Sequence, residues 1–321
     1  MNRLGLRLLV MLLGLVSAHY AMASCTVPAS ATALGAYASS VVGANGTPQI
    51  ITSGSGFSCS GSALSLISTN TITATVIGDT NASGGAMRLK GGASGNDAIA
   101  YDLCMDSGCG TLYGIGSSYT WRKTSFLGIL GLFNASDGTL PIYIRTSVGN
   151  NVSAGTYTDT VTIQWDYSLC AVGALGLCIY DTGTLTSTLN LSMTISNDCQ
   201  ITRAPDVSFG SAALPAEFPA VSNSLGVNCT NLGAYTVKLT STHPDDANWR
   251  RMSAAVDGGA YYLQYQLYHA DNTAWTENTD YAATGTGLTQ SIPYTARING
   301  SQPNQPAGAY SDIVTITVTI N

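Results

Sequence analysis

The most constraining feature of this sequence is a twelve-residue stretch that occurs twice. AGTYTDTVTIQW runs from Ala154 to Trp165, and AGAYSDIVTITV runs from Ala307 to Val318. In the second copy apolar residues alternate with threonines up to Ile320, and a period of two predicts a half-buried β-strand. The repeat therefore predicts two copies of one β-rich domain.

The two copies differ in the residues that come after the repeated strand. After the first copy, DYSLCAVGALGLCIYDTG leads into TLTSTLNLSMTIS, where apolar residues recur on one parity and predict another long strand. Those residues are Leu185, Leu189, Leu191, Met193 and Ile195. The second copy is followed only by Thr319, Ile320 and Asn321. Since an unpaired strand edge readily accepts another chain, we expect the second domain to lack one strand and to need a partner.

Composition supports an all-β fold. Glycine, serine, threonine, alanine and asparagine dominate together with β-branched residues, which suits short strands and turns, and no convincing amphipathic helix is found. About 300 mature residues suit two sandwiches better than one. We predict two tandem immunoglobulin-like β-sandwiches. The first, residues 24–197, is self-complete, and the second, residues 198–321, lacks its last strand.

Residues 1–23 have the pattern of a secretory signal peptide. Arg3 and Arg7 precede the apolar run Leu8–Val16, and Ala21-Met22-Ala23 fits an A-x-A cleavage site. The apolar run is too short for a membrane anchor. A lipoprotein acylated at Cys25 is less favoured, because the apolar run ends well upstream of that cysteine.

Charge and motifs argue against several function classes. Only 9% of residues are charged, and removal of two arginines with the signal takes the net charge from −6 to −8. No basic patch with interleaved aromatic residues indicates nucleic-acid binding. The mature histidines, His243 and His269, lie near no recognised nucleophile, and no G-x-S-x-G occurs. CMDSGC lacks the spacing of a redox or zinc motif. We therefore predict no enzyme, cofactor or metal site.

The cysteines predict a disulfide framework. The mature chain holds all eight, an even number, and the signal peptide implies an oxidising compartment. Alignment of the halves gives two corresponding pairs, each of which ties the first strand of a domain to the second, and the other four cysteines pair locally. The predicted bonds are Cys25–Cys59, Cys199–Cys229, Cys104–Cys109 and Cys170–Cys178.

Three insertions distinguish the first half. They follow Cys59, separate AIAYDL from LPIYIRTS, and follow the repeated strand. In a seven-strand sandwich these are the B–C, D–E and F–G loops, which lie together at the end that points away from the second domain. Their apolar content predicts a contact surface. The candidate surface-binding residues are Leu64, Leu66, Ile67, Leu112, Tyr113, Ile115, Phe126, Leu127, Ile129, Leu130, Leu132, Phe133, Val172, Leu175 and Leu177.

An inward-folded satellite core or extra strands would explain some of these residues equally well. Phe126 and Phe133 fit either reading, and Leu64, Leu66 and Ile67 could begin a strand. Exposure is expected for a further group, which would favour adhesion by hydrophobic insertion at about 1.5–3 kcal/mol per buried side chain. That group comprises Leu127, Ile129, Leu130, Val172 and Leu175.

The paired-cysteine opening, the alternating middle and the closing A-G-x-Y-x-D-x-V-T-I strand resemble the spore coat protein U-like domain, the pilin of archaic chaperone–usher pili. The resemblance covers both halves, and two such domains behind a signal peptide resemble a tip adhesin subunit. It implies export to the periplasm and display at the cell surface of a Gram-negative bacterium, at the pilus tip, with roles in attachment and biofilm formation on hydrophobic abiotic or host surfaces.

The same resemblance implies the partners. A periplasmic chaperone, and then the N-terminal strand of the adjacent pilin subunit, would fill a groove at the final strand, with assembly at an outer-membrane usher. The groove residues are Val314, Ile316, Val318 and Ile320. A mature start at Ser24, one residue before Cys25, leaves no segment to donate, so the chain is expected at the far end of the fibre.

Two other functions remain open. A lectin-like tip adhesin would use aromatic and polar residues of YGIGSSYTWRK to stack against a glycan; its candidates are Tyr113, Tyr119, Trp121, Arg122 and Lys123. A purely structural coat or fibre subunit would show no surface binding by the first domain.

Overall fold

The computed structural model describes residues 24–60, 69–123, 129–174, 177–243 and 249–321, with the side chains of residues 171–174 and 177 set aside. Nearly all regular structure is β-strand. Buried residues form two separate hydrophobic clusters, one from Leu34 to Ile195 and one from Leu225 to Ile298. The predicted two-domain, all-β architecture is confirmed. Within the described ranges, no helix is long and apolar enough to cross a membrane.

Among its described residues, the first domain holds twelve strands and one short helix. They are β1 Ser24–Thr26, β2 Ser30–Ala38, α1 Ser39–Val42, β3 Ile50–Gly54, β4 Ser58–Ser60, β5 Asn70–Asp79, β6 Met87–Gly91, β7 Asp97–Cys104, β8 Leu112–Tyr113, β9 Ser118–Lys123, β10 Pro141–Thr146, β11 Gly155–Ala174 and β12 Leu177–Ser196. β1 pairs with β4. The other ten strands form one sheet in the order β2-β12-β11-β6-β7-β10-β3, with β5 and β8 attached to β11 and β7, and β9 attached to β5.

The long strands β11 and β12 complete this domain. β11 pairs with β6 near its start and with β5 over its later residues, while β12 runs antiparallel along its other side. β12 also pairs in parallel with β2. Its inward residues Leu189, Leu191, Met193 and Ile195 are all buried. The extra strand predicted for the first half is therefore confirmed.

Aromatic stacking anchors β11 in the core. The Trp165 ring stacks on Phe57 with a centroid distance of 4.6 Å, and its Nε1 donates a 2.8 Å hydrogen bond to Ser187 Oγ on β12. Because the indole and its partners are all buried, this group ties β12 to the sheet by packing and by a satisfied polar contact.

The second domain is smaller. Its strands are β13 Cys199–Arg203, β14 Val221–Cys229, β15 Ala234–Ser241, β16 Arg250–Val256, β17 Gly259–His269, β18 Tyr281–Thr284, β19 Thr289–Ile298 and β20 Val314–Ile320, with a 3-10 turn at Pro215–Glu217. One sheet has the order β13-β14-β19-β17-β16 and the other β18-β15-β20. The two sheets enclose the second core.

All four predicted disulfides are confirmed. Cys25 and Cys59 are direct partners in the pairing of β1 with β4, and Cys199 and Cys229 are direct partners in the pairing of β13 with β14. The equivalence of these two pairs supports the alignment of the halves.

Candidate strand-acceptor groove and distal surface

The second domain has an open edge at its last strand. β20 pairs with β15 on one side, and no strand of the described part of the chain pairs with its other side. Val314, Ile316 and Val318 are half-buried and pack against the second core, while Ile320 is 41% exposed. The alternation predicted for the groove residues is present, with their side chains turned toward the space between the sheets.

A groove of about 380 Å³ lies beside the start of β20. Apolar side chains from both sheets and from the segment after β13 line it; they include Val207, Phe209, Leu225, Leu239, Met252 and Leu267. An apolar groove next to an unpaired strand edge offers backbone hydrogen bonds and side-chain pockets together, which is the arrangement that strand addition requires.

The first domain shows how such an edge is filled. In the pairing of β11 with β12, Leu189 lies opposite Val161, and Leu191 lies opposite Asp159. The repeated stretch equates Val161 with Val314 and Asp159 with Asp312. The open edge of β20 is thus the equivalent of the position that β12 occupies in the first domain.

A hydrogen-bonded carboxylate stands at the end of this groove. Tyr265 Oη donates to Asp312 Oδ2 at 2.6 Å, Thr242 Oγ1 donates to Oδ1 at 2.6 Å, and Ser241 Oγ donates as well. Burial would raise the pKa of Asp312, but the hydrogen bonds, led by that from Ser241, outweigh it and hold the pKa below its usual value. His243 Nδ1 lies 3.2 Å from Oδ1 as well, so this carboxylate finds its partners within the second domain itself.

The ends of the first domain's inserted loops lie together. The backbone N–H of Cys170 donates to Asn70 Oδ1 at 2.7 Å, and Asn70 pairs with Lys123 across β5 and β9. Fifteen residues of β11 separate Cys170 from Gly155, which is about 50 Å at the rise of an extended strand. Gly155 is at the end that adjoins the second domain, so these loop ends form the distal end of the first domain.

Several candidate surface residues are buried instead. The expected exposure of Ile129 is wrong, because it is 0% exposed and belongs to the first core. Tyr113, only 3% exposed, is also wrongly predicted, since β8 places it against β7 with its ring edge-on to Tyr119. The described part of the D–E insertion thus packs apolar side chains against the first core.

The neighbours of Ile129 show the same pattern. Leu130, expected to be exposed, is half-buried and packs against the first core, as do Leu132 and Phe133. The Phe133 ring lies 6.2 Å from that of Phe57. The satellite-core reading therefore describes this segment better than the exposed one.

Two candidates, Leu112 and Ile115, are exposed and lie at most about 11 Å apart, because they are only three positions apart in the chain. Leu112, 50% exposed, pairs with Cys104 at the end of β7. Ile115, 38% exposed, lies in a turn whose Gly116 N–H donates to Val76 O. Val76 is six residues along β5 from Asn70, or about 20 Å. The expected distal position is therefore wrong for Ile115, and its near neighbour Leu112 does not reach the loop ends at Asn70 and Cys170 either.

The remaining candidates stay predictions. Val172 and Leu177 lie near the ends of β11 and β12. Those outside the described residues are Leu64, Leu66, Ile67, Phe126, Leu127 and Leu175.

Two exposed distal residues were missed by sequence reasoning. Ile179 is 71% exposed and Tyr180 is 43% exposed, and both come directly after Cys178 on β12, with Tyr180 opposite Cys170. The apolar residues predicted for this insertion end at Leu177. The sequence signal that could have identified them is the pair of large side chains directly after Cys178.

The lectin candidates form an edge-strand cluster. The Trp121 ring lies 4.7 Å from Tyr119, edge-on, and 6.2 Å from the buried Trp165. Trp121 is half-buried and closes the core edge, whereas Arg122 and Lys123 are exposed. Among the described residues, no three metal-ligating side chains form a group that could hold a metal ion.

Comparison with known proteins identifies the family. No curated protein sequence matches the chain. A chain in the crystal structure of the CsuC–CsuE chaperone–tip adhesion subunit pre-assembly complex, from archaic chaperone–usher Csu pili of Acinetobacter baumannii, matches with 25% identity and a TM-score of 0.60, over 92% of this chain and 99% of that chain. CfaE, the adhesive subunit of CFA/I fimbria of enterotoxigenic Escherichia coli, matches at 11% identity and a TM-score of 0.36, over 92% and 94%.

The likeness to a chain of the CsuC–CsuE complex supports a chaperone–usher pilus subunit. The Spore Coat Protein U domain matches twice, at residues 13–164 and 185–317, which together include most of the chain. Each match contains one copy of the repeated strand and one of the equivalent disulfides. The chain belongs to the Spore Coat Protein U domain family.

Proposed function

We propose that this chain is the tip adhesin of an archaic chaperone–usher pilus. The observation that carries the proposal is the pairing of a self-complete first domain with a second domain whose edge strand β20 is open. Such a chain accepts a strand at one end and presents a finished domain at the other. Its likeness to the CsuE-containing complex supports the same role.

The open groove determines the partners. A periplasmic chaperone protects the edge of β20 before assembly, and the N-terminal strand of the adjacent pilin subunit replaces it at the outer-membrane usher. The chain then stands at the cell surface, at the pilus tip, with the first domain outermost.

The distal end supplies the adhesive contact. Ile179 and Tyr180 are exposed there, next to the inserted loops. Each large apolar side chain that leaves water on contact contributes about 1.5–3 kcal/mol. Several acting together hold the domain to a hydrophobic abiotic or host surface, which explains a role in biofilm formation without a specific receptor.

Changing Ile179 and Tyr180 to serine should weaken adsorption of the chain to a hydrophobic surface. Two lost apolar contacts of about 1.5 kcal/mol each correspond to roughly 100-fold in affinity. The measurement is adsorption of the purified chain, kept soluble with its chaperone, to methyl-terminated and hydroxyl-terminated surfaces.

The matched control is Ile313→Ser, since Ile313 is 69% exposed but lies in the second domain. It should adsorb like the unchanged chain. Equal loss in the control, or no loss in the double variant, contradicts the proposal. Sulfate should strengthen hydrophobic adsorption, whereas release by free sugars would favour the lectin function.

A further inference from the structure

The two domains of this chain touch through a small set of side chains. Ser39 Oγ lies 2.6 Å from Thr230 Oγ1, and Asn151 Nδ2 donates to Thr286 O at 2.9 Å. Ser153 also forms a parallel bridge with Asn231. The end of the first domain that holds α1 and the loop before β11 thus rests on the disulfide end of the second.

This contact results directly from the path of the completing strand. β12 ends at Ser196, and only Asn197 and Asp198 separate it from β13 of the second domain. A strand that completes one sandwich therefore leads at once into the body of the next. Any subunit whose N-terminal strand fills the groove in the orientation of β12 has its body placed in the same way.

The second domain repeats the contacting end of the first. Asn150 Nδ2 donates to Ser147 O at 2.7 Å, and Gln302 Nε2 donates to Asn299 O at 2.9 Å, so both side chains close the equivalent loop before the repeated strand. The 3-10 turn at Pro215–Glu217 takes the place of α1 and packs under Gly300. The loop that contains Asn151 therefore corresponds to the loop that contains Pro303.

We propose that the face of the second domain formed by Leu214, the 3-10 turn and residues 299–306 is a docking surface for the body of the donating subunit. The inference rests on the proposed strand acceptance, and it adds a second contact beyond the groove. The donating subunit would meet this face with its disulfide end, as the second domain meets the first.

The chemistry of this face differs from that of the internal contact. Pro303 stands where the first domain has an asparagine, Leu214 is 43% exposed, and a depression beside Pro303 is lined by Tyr261 and Tyr262, each 37% exposed. Arg251 lies over the Tyr262 ring at 4.7 Å. Proline and aromatic rings thus stand beside Arg251, Gln264 and Gln302 in this face, which offers both stacking and hydrogen-bonding groups to the docking end of the donating subunit.

A three-domain chain tests the docking face with a defined partner. It consists of residues 24–318, followed by a second copy of residues 166–318 and then by a third copy of residues 166–196. Each of its three domains is therefore completed by a copy of β12. Spin labels on exposed positions report the distribution of distances across the second junction and, separately, across the natural first junction. We expect the distance distribution across the second junction to be about as narrow as that across the first.

The test variant changes Leu214 and Asn304 of the middle domain to glutamate. In the docked arrangement these glutamates face the acidic Asp198 of the third domain. The distribution across the second junction should become at least twice as broad, and that across the first should not change. The control carries arginine at the same two positions. It should broaden the distance distribution across the second junction less than glutamate does.

The outcomes separate the docking face from the groove. A broad distribution in the unchanged three-domain chain, or no response to the glutamates, overturns the docking face. Failure of the middle domain to gain thermal stability from its added strand would instead overturn strand acceptance.

Discussion

Appending residues 166–196 after Val318 should make the second domain stable without a partner. Val318 takes the place of Trp165 in the repeat, so the added segment extends β20 and returns as a copy of β12. That strand carries four side chains that are buried in the first domain, each worth about 1.5–3 kcal/mol. Even after the cost of ordering the strand, we expect the melting temperature of the second domain to rise by roughly 10 °C or more.

Calorimetry and size-exclusion chromatography check this result. The unchanged chain should aggregate without its chaperone, whereas the extended chain should be a monomer. The matched control carries aspartate in place of Leu189 and Leu191 of the appended copy only. Since its length and hairpin are unchanged, it should gain nothing. An equal gain from this control would show that the added segment does not enter the groove.

Much of the fold was predictable because the repeat carries its own internal comparison. The period of two in β20 and β12, the missing strand of the second domain and the equivalent disulfides all arise from residues that alternate or align. These features depend on local pattern and on backbone pairing. A pattern of that kind is visible in one sequence whenever one face of a strand is buried.

The distal surface was harder to predict, because exposure there depends on tertiary packing. Ile129 and Ile179 are both apolar residues in glycine-interrupted segments, yet the first is buried in the core and the second is mostly exposed. Periodicity carries no information in such short runs. The deciding factor is whether a segment packs against the core of the sandwich, as residues 129–133 do.

Stability of the first domain should fall as pH rises from about 4 to about 7, and Asp79→Asn should remove this dependence. Tyr101 Oη donates to Asp159 Oδ2 at 2.6 Å and lies 3.1 Å from Asp79 Oδ2. The Tyr101 hydroxyl has only one proton to donate, and it donates that proton to Asp159. A second proton is therefore needed between the carboxyl groups of Asp79 and Asp159. Burial, followed by the neighbouring Asp159, raises the pKa of Asp79 from 3.8 to about 7.

Proton binding gives the sign of the effect. Between these two pH values the folded state holds a proton on Asp79 that the unfolded state has released, so the free energy of unfolding decreases with rising pH and levels off above about 7. A fully dry group would lose about 4 kcal/mol, and solvent screening of the half-buried carboxyl reduces this to about 1–2 kcal/mol. Asp79→Asn should match the unchanged chain at pH 4 and exceed it by that amount at pH 8.

Denaturant unfolding at several pH values measures this, with Asp97→Asn as the control of opposite sign. Burial would raise the pKa of Asp97, but hydrogen bonds led by that from Ser153 Oγ at 2.6 Å lower it. The ionised Asp97 therefore stabilises the fold at neutral pH and loses this effect in acid, so its asparagine variant should be weaker at pH 7. If Asp79→Asn also lost stability at pH 8, the carboxyl would be needed in its ionised form, and the shared-proton arrangement with Asp159 would be wrong.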